Sequence, residues 1–291
     1  MSDRVQVHII GASGRTGAAL CRALHADDLP FVPVVRDAAK WQAHAIDVAP
    51  RMADLANAAA LHTALHGATH VVCCAHARFA AAVIAAAPAD ARFVFLGSTR
   101  KFTRWPDAHA TGVLEGEAVF LASRRSGVML HPTMIYGAEG EDNVQRLATL
   151  LRRLPFVPLP ARGKALVQPV HQDDLVMVIR RTLAREWVGP QAIVVAGPKA
   201  TSYADFVRAV AVAAGLPPPR LVSFPGWVLI AAATLLQHVP LLPRVTPAEV
   251  RRLMEDKAFD IMPMIAALGV PPMPLEEGLR RTFLATPQHL P

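Results

Sequence analysis

Residues 11–17, GASGRTG, constrain this chain more than any other stretch. They follow a short apolar run at 5–10 and lead directly into a helix-like segment at 18–24. Strand, glycine turn and helix in that order meet the needs of a dinucleotide. Gly11 allows a sharp turn, Gly14 lets backbone approach a pyrophosphate, and Gly17 lets the helix pack tightly on the strand. The N–H groups and dipole at the helix start then face the phosphate charge. The spacing, G-x-x-G-x-x-G, places Gly11, Ser13, Gly14, Arg15, Thr16 and Gly17 around the nucleotide.

The rest of the first half alternates strand and helix. Apolar runs at 31–35, 71–75, 92–96 and 128–131 read as buried strands, and 43–48 reads as a third, weaker one. Helices are expected at 58–65, with Asn57 as N-cap, at 79–87 and at 111–123. Continuous apolar strands joined by helices predict an α/β fold, a Rossmann-type doubly wound parallel sheet covered on both faces. After about residue 137 helices become more frequent and prolines cluster, as in the 154–160 connector. The expected organisation is a Rossmann domain over 1–160, with elements returning at 165–197, and a smaller, mostly helical lobe over 198–291. Asp173 and Asp174, then Thr201 and Ser202, are placed to cap helices. Thr246-Pro247-Ala-Glu249 reads as a capping box.

Charge and cysteines narrow the partners. The net charge is +7, but the arginines come as scattered pairs, near the ends of helix-like segments where cations complement the dipole. No basic run with interleaved aromatics points to nucleic acid. An anionic small molecule or an acidic membrane surface suits the charge better. Cys21, Cys73 and Cys74 lie in apolar segments, without metal-ligand spacing or a disulfide framework. The first residues are polar and run straight into a strand, so no signal peptide is expected and the cytoplasm is the expected location. Residues 226–236 are apolar throughout but too short to span a bilayer, and Gln237, His238 and Pro240 end the run. They read either as a core helix of the lobe or as a lipophilic face for peripheral contact with a membrane or an apolar substrate.

These residues resemble the extended and atypical short-chain dehydrogenases/reductases, the epimerase/dehydratase-like proteins. Further pieces carry the resemblance: Met52–Leu55 after the third strand, 71–75 as the fourth strand, Leu96-Gly97-Ser98-Thr99 at the end of the fifth, His131-Pro132 to Tyr136-Gly137 after the sixth, 167–174, and a closing helix at 275–282. The Leu154–Pro158 connector, Gln168-Pro169-Val170 and the Asp173-Asp174 pair are most similar to the branch typified by the nucleotide-binding accessory subunit of respiratory complex I and its bacterial relatives. The resemblance implies that Asp54, Leu55, Ala75 and Pro132 also contact the cofactor. Ser98 takes the active-site serine's place, and Thr99, Lys101, Tyr136, Gln168 and His171 face the substrate.

The chain departs from that family at the decisive point. Active members use Tyr-x-x-x-Lys, in which the lysine lowers the pKa of a phenol that is otherwise near ~10. This chain has two tyrosines, and four residues beyond Tyr136 and Tyr203 stand Gly140 and Val207. With Glu117 as the register anchor, His109 takes the tyrosine position and Val113 the lysine position. His109 is either a replacement acid-base group, since imidazole titrates near ~6.5 unaided, or a loop histidine near a cleft. Arg36 at the end of the second strand favours the 2′-phosphate of NADP(H); the adjacent Asp37 keeps NAD(H) open. Two functions follow: an oxidoreductase or sugar-nucleotide epimerase with an altered acid-base set, or a non-catalytic NADP(H)-binding redox sensor or respiratory-complex accessory or assembly protein. The partner is accordingly a small-molecule substrate or another protein.

Overall fold

The computed structural model describes residues 5–138, 143–236 and 246–285. The first half runs β1 (Val7–Ile10), α1 (Arg15–Ala26), β2 (Phe31–Val35), α2 (Ala38–Gln42), β3 (Arg51–Met52), α3 (Ala58–Leu65), β4 (His70–Cys73), α4 (Ala80–Ala86), β5 (Arg92–Leu96), α5 (Ala108–Ala122) and β6 (Gly127–Pro132). Then follow β7 (Ile135–Tyr136), α6 (Asn143–Arg153), β8 (Val157–Pro160), β9 (Leu166–Val167), β10 (Val170–His171), α7 (Gln172–Leu183) and β11 (Pro190–Val195). The chain continues through β12 (Thr201–Ser202), α8 (Tyr203–Ala213), β13 (Leu221–Phe224), α9 (Gly226–Leu236), α10 (Pro247–Arg252), α11 (Met262–Leu268) and α12 (Leu275–Ala285). Short 3₁₀ turns lie at Ala77–Phe79, Thr99–Phe102 and Ala161–Gly163.

Seven parallel strands form the central sheet in the order β11-β6-β5-β4-β1-β2-β3. Side chains alternate across it, as the pleat requires. Val94 and Leu96 of β5 join Leu20, Leu24, Leu175 and Ile179 in a core under α1 and α7. Phe93 and Phe95 point the other way, onto Leu61, Leu65, Val83 and Phe120. Burial on both faces explains why these strands read as unbroken apolar runs.

The order of the sheet reverses beside β1. Nucleotides bind at such a switch point, beyond the carboxyl ends of the strands. The β1–α1, β4–α4 and β5–α5 connections all emerge there.

The lobe is discontinuous, which moves the expected boundary. α6 and β8, inside the 1–160 segment, belong to it: β8 pairs with β13 in parallel, and Val144 and Ala148 of α6 share a core with Phe206, Val210 and Leu279. The chain returns to the sheet through α7 and β11 before completing the lobe.

Other differences are local. Residues 43–48 form a turn, not a strand, tied by Trp41 Nε1 donating to Val48 O at 2.9 Å; the third strand is the two-residue β3. The 165–170 strand is split into β9 and β10 by Gln168-Pro169. His171, not the Asp pair, caps α7, its Nδ1 accepting from Asp173 N at 3.2 Å. The caps by Asn57 and Ser202 and the Thr246–Glu249 capping box form as read. The core-helix reading of 226–236 fails, since among its described side chains Ala233 alone is buried. Gln237, His238 and Pro240 lie outside the described residues. No described helix is long and apolar enough to cross a membrane.

Candidate functional site

The glycine turn is built by close approach. Gly11 has φ +74, which side chains rarely adopt, and its N–H donates to Val34 O at 3.0 Å. A Cβ there would lie 3.3 Å from Ala75 N, so β1 and the exit of β4 meet backbone to backbone. A Cβ on Gly17 would stand 2.2 Å from Gly11 O. Gly14 N donates to Gly11 O at 2.9 Å, and as N-cap it gives α1 no side-chain cap, whereas side chains cap α2, α3 and α5. The start of α1 thus meets solvent through bare backbone, with Thr16 buried behind it and Arg15 exposed. Ser13 is braced by a residue the sequence did not single out: His44 Nε2 bonds to Ser13 O at 3.1 Å.

The rim of the site separates Arg36 from Asp37. Asp37 caps α2, one of its carboxylate oxygens accepting from Lys40 N at 3.2 Å. Arg36 stands exposed at the end of β2. Asp54 closes its own turn by accepting from Ala56 N at 2.8 Å, and Leu55 packs on the α3–α4 core. Ala75 borders the turn from β4. These residues fit a nicotinamide dinucleotide: Gly11 and Gly17 close the turn backbone to backbone, the start of α1 is left uncapped by any side chain, and a cation marks the outer edge.

Beyond β5 the chain builds a second element. Ser98 N donates to His131 Nδ1 at 3.2 Å, and Ser98 Oγ accepts from Arg100 N at 3.1 Å, so its hydroxyl hydrogen can still donate outward. Thr99 Oγ1 donates to Pro132 O at 3.2 Å, fastening β5 to β6. His131 fits only because residue 97 is glycine; a Cβ there would lie 2.3 Å from its Nδ1.

Lys101 corrects an expectation. Its ammonium turns inward, 2.6 Å from both oxygens of Glu117 and 3.4 Å from His131 Nε2, which also lies 3.4 Å from Glu117 Oε2. Lys101 is therefore half of a nearly buried ion pair under Ser98, with side chains 11% and 13% exposed, and does not face a substrate. Burial, then the charge of Lys101, pushes His131 down to about 4, so it is a neutral imidazole whose Nδ1 accepts.

His109 occupies the first turn of α5. It packs edge-on against His76, ring centres 4.3 Å apart, and burial followed by that neighbour lowers its pKa. Asp107, which accepts from Ala110 N, caps the helix and pairs with Arg100. Val113, which the resemblance aligns with a lysine, is 1% exposed.

A cavity of about 560 Å³ lies between the carboxyl ends of β5 and β6 and the lobe. Ser98, Thr99 and Thr133 line it from the sheet; Phe102, Leu147 and Phe206 are among its apolar walls. Arg104, Arg146 and Arg252 also line it, together with Glu249 and Asp256, and Arg252 feels the charges of Glu249, Asp107 and Glu255. Glu255, buried at its edge, accepts from Thr103 Oγ1 at 2.8 Å and Arg104 N at 2.6 Å.

The other expected substrate residues are occupied elsewhere. Gln168 lines the cavity, but its amide is spent on backbone, donating to Gly197 O at 2.7 Å and accepting from Phe259 N at 2.8 Å. Tyr136 is buried against α12, its hydroxyl where a Gly278 Cβ would lie 2.1 Å away, and His171 packs edge-on against it. Neither lines the cavity. His109 does not line it either.

Residues 11–122 match a family model described as NAD(P)H-binding. The chain carries an NAD(P)-binding Rossmann domain. No curated protein matches the sequence. Solved structures match nearly end to end. An NADPH-dependent quinone oxidoreductase from Escherichia coli, solved with NADPH, aligns with a TM-score of 0.74 at 20% identity, over 95% of this chain and 99% of that one. A nucleoside-diphosphate-sugar epimerase from Pseudomonas aeruginosa gives 0.73 at 18% over 97% of each chain. UDP-glucose 4-epimerase from Thermus thermophilus, solved with NAD, gives 0.72 at 17%, over 98% of this chain and all of that one. At these identities the likeness establishes the fold alone.

Proposed function

We propose that the protein is an NADP(H)-dependent oxidoreductase of the atypical short-chain dehydrogenase/reductase type, acting on a carbonyl or alcohol substrate that carries an anionic group. The observation that carries this reading is the position of Ser98: it follows the carboxyl end of β5, two strands from the nucleotide turn on the same edge of the sheet, and lines the cavity formed with the lobe. Gly11, Gly14 and Gly17 would admit the pyrophosphate, and Arg36 would meet a 2′-phosphate. When bound, the cofactor supplies or accepts a hydride. Ser98 Oγ–H donates to the substrate oxygen. His109, outside the cavity and packed on His76, would have to turn toward that oxygen to exchange the proton. Arg104, Arg146 and Arg252 hold the substrate's anion, and the apolar wall holds its body. A sugar nucleotide, as in the epimerase neighbours, would place its diphosphate on the same guanidinium groups.

A second reading rests on α5. With Val113 buried in the lysine's place and His109 turned against His76, NADP(H) would be a structural or sensory ligand. The protein would then act as a redox sensor, or as an accessory or assembly protein of the complex I type. Such a ligand stabilises the fold by mass action alone.

One experiment separates the two. NADPH oxidation is followed spectroscopically against a panel of carboxylated and phosphorylated carbonyl compounds, with wild type, Ser98→Ala and His109→Ala. Turnover lost in both variants, with NADPH affinity retained, supports the enzyme. Tight NADPH binding without turnover on any compound, together with partner capture that differs between NADP⁺ and NADPH, overturns it in favour of the sensor.

A further inference from the structure

The lobe presents an apolar helix to solvent on a surface rich in exposed arginine. In α9, Trp227, Ala231, Thr234 and Leu235 fall at helical spacings of four, seven and eight, and all four are exposed. Trp227 is 73% and Leu235 74% exposed. α9 also packs on α10, and Gly226 gives room to Met254 just beyond the end of α10. Next to α9, β8 and β13 add Phe156 and Val222, also exposed, with the Phe156 ring 6.4 Å from that of Phe224. A surface helix normally turns charge outward; this one turns out a tryptophan and a leucine.

Cations outnumber acids in the segments around it. The stretches 143–172 and 206–236 contain seven arginines and lysines and no aspartate or glutamate, with Asp142, Asp173 and Asp205 at their borders and Arg208 paired with Asp205. Arg152, Arg153, Arg162, Lys164 and Arg220 are exposed. Arg162 is held beside β13 by its N–H donating to Ser223 Oγ at 3.1 Å, and Arg220 O accepts from Val157 N at 2.8 Å. The acidic group nearest in sequence, Glu249 on α10, is engaged by the Thr246 capping box.

From this we infer that the α9 face docks on the surface of an anionic lipid bilayer, with Trp227 and Leu235 entering the headgroup boundary and the arginines meeting lipid phosphates. An exposed tryptophan on a lobe whose Arg152, Arg153, Arg162 and Arg220 have no ion pair among the described residues suits that interface, where an aromatic ring and its N–H are both satisfied and anionic lipid attracts the cations. A second copy of this chain is a poorer fit, because an isologous contact would bring the same unneutralised cations together. α10 contributes Arg252 to the cavity as well as the support for α9, so the docked face lies one helix away from the cavity.

The test is cosedimentation of the full-length protein with vesicles of phosphatidylcholine and phosphatidylglycerol, and with phosphatidylcholine alone, at low and high salt. Pelleting with the anionic vesicles at low salt and release at high salt is the expected result. Trp227→Asp and Leu235→Asp each reduce partitioning about tenfold or more, and Arg152→Glu with Arg153→Glu reduces it about fivefold per charge removed. All sites are exposed, so unchanged melting temperatures report intact folding. No pelleting at low salt, or pelleting that Trp227→Asp leaves unchanged, overturns the inference. So does a dimer in sedimentation velocity that Trp227→Asp dissociates, since a second copy would then cover the face. None of these outcomes depends on NADPH or on turnover.

Discussion

Replacing Glu117 with glutamine leaves the Lys101 ammonium without its carboxylate in a site where the lysine side chain is 11% exposed. The remaining neighbour, His131, lies 3.4 Å away and is neutral. Removing one partner of a buried ion pair costs about 3–5 kcal/mol, because the other charge stays desolvated. At about 2–4 °C per kcal/mol for a chain of this size, the melting temperature falls by about 6–20 °C. The double variant Lys101→Met/Glu117→Leu removes both charges and recovers most of the loss. Circular-dichroism melts of wild type, single and double variants at pH 7.5 make the comparison. If Glu117→Gln melts within about 2 °C of wild type, or the double variant is less stable than the single, Lys101 is not confined by Glu117 and the floor under Ser98 is not a buried ion pair.

Three further outcomes follow from the same geometry. Gly17→Ala puts a Cβ 2.2 Å from Gly11 O and costs about 1–3 kcal/mol with loss of NADPH binding, whereas Gly14→Ala, 3.2 Å from Gly11 O, costs less; thermal shift with and without NADPH reads both. His131 titrates near 4 when folded and near 6.5 when unfolded, so the unfolded chain takes up the proton first. Its contribution, on the order of 3 kcal/mol, is present above pH 6.5 and lost as pH falls toward 4, and urea unfolding of His131→Gln should show a shallower pH slope over that window. Arg252→Ala, at the cavity wall, should raise KM for an anionic substrate about tenfold or more by removing a charged hydrogen bond, while NADPH affinity, measured by calorimetry, stays unchanged.

What the sequence disclosed and what it hid divide along a physical line. The Gly11–Gly17 turn, the alternating burial of Phe93 to Leu96 and the Thr246–Glu249 cap depend on residues within a few positions of one another. Their geometry is written in local pattern. The lobe boundary was hidden because β8 and β13 pair across some sixty positions, and a two-segment lobe leaves no composition break. The Lys101–Glu117–His131 cluster joins three elements, and its one local trace was a histidine inside the buried β6 with Gly97 opposite. Tyr136 and His171 sit in motif-like positions, yet Gly278 opens room for the Tyr136 ring under α12 and draws both away from the cavity. Asp37, which reads as a ribose ligand, also caps α2 through one carboxylate oxygen, a role that depends on how the chain turns after β2.

Arg36 beside Asp37 at the end of β2 makes calorimetric titration with NADPH and with NADH, on wild type and Arg36→Ala, the most direct test. The account predicts that NADPH binds at least about tenfold more tightly than NADH, and that Arg36→Ala removes most of the difference by deleting one charge-assisted phosphate contact. Binding of neither nucleotide, or equal affinity for both that Arg36→Ala does not change, contradicts it.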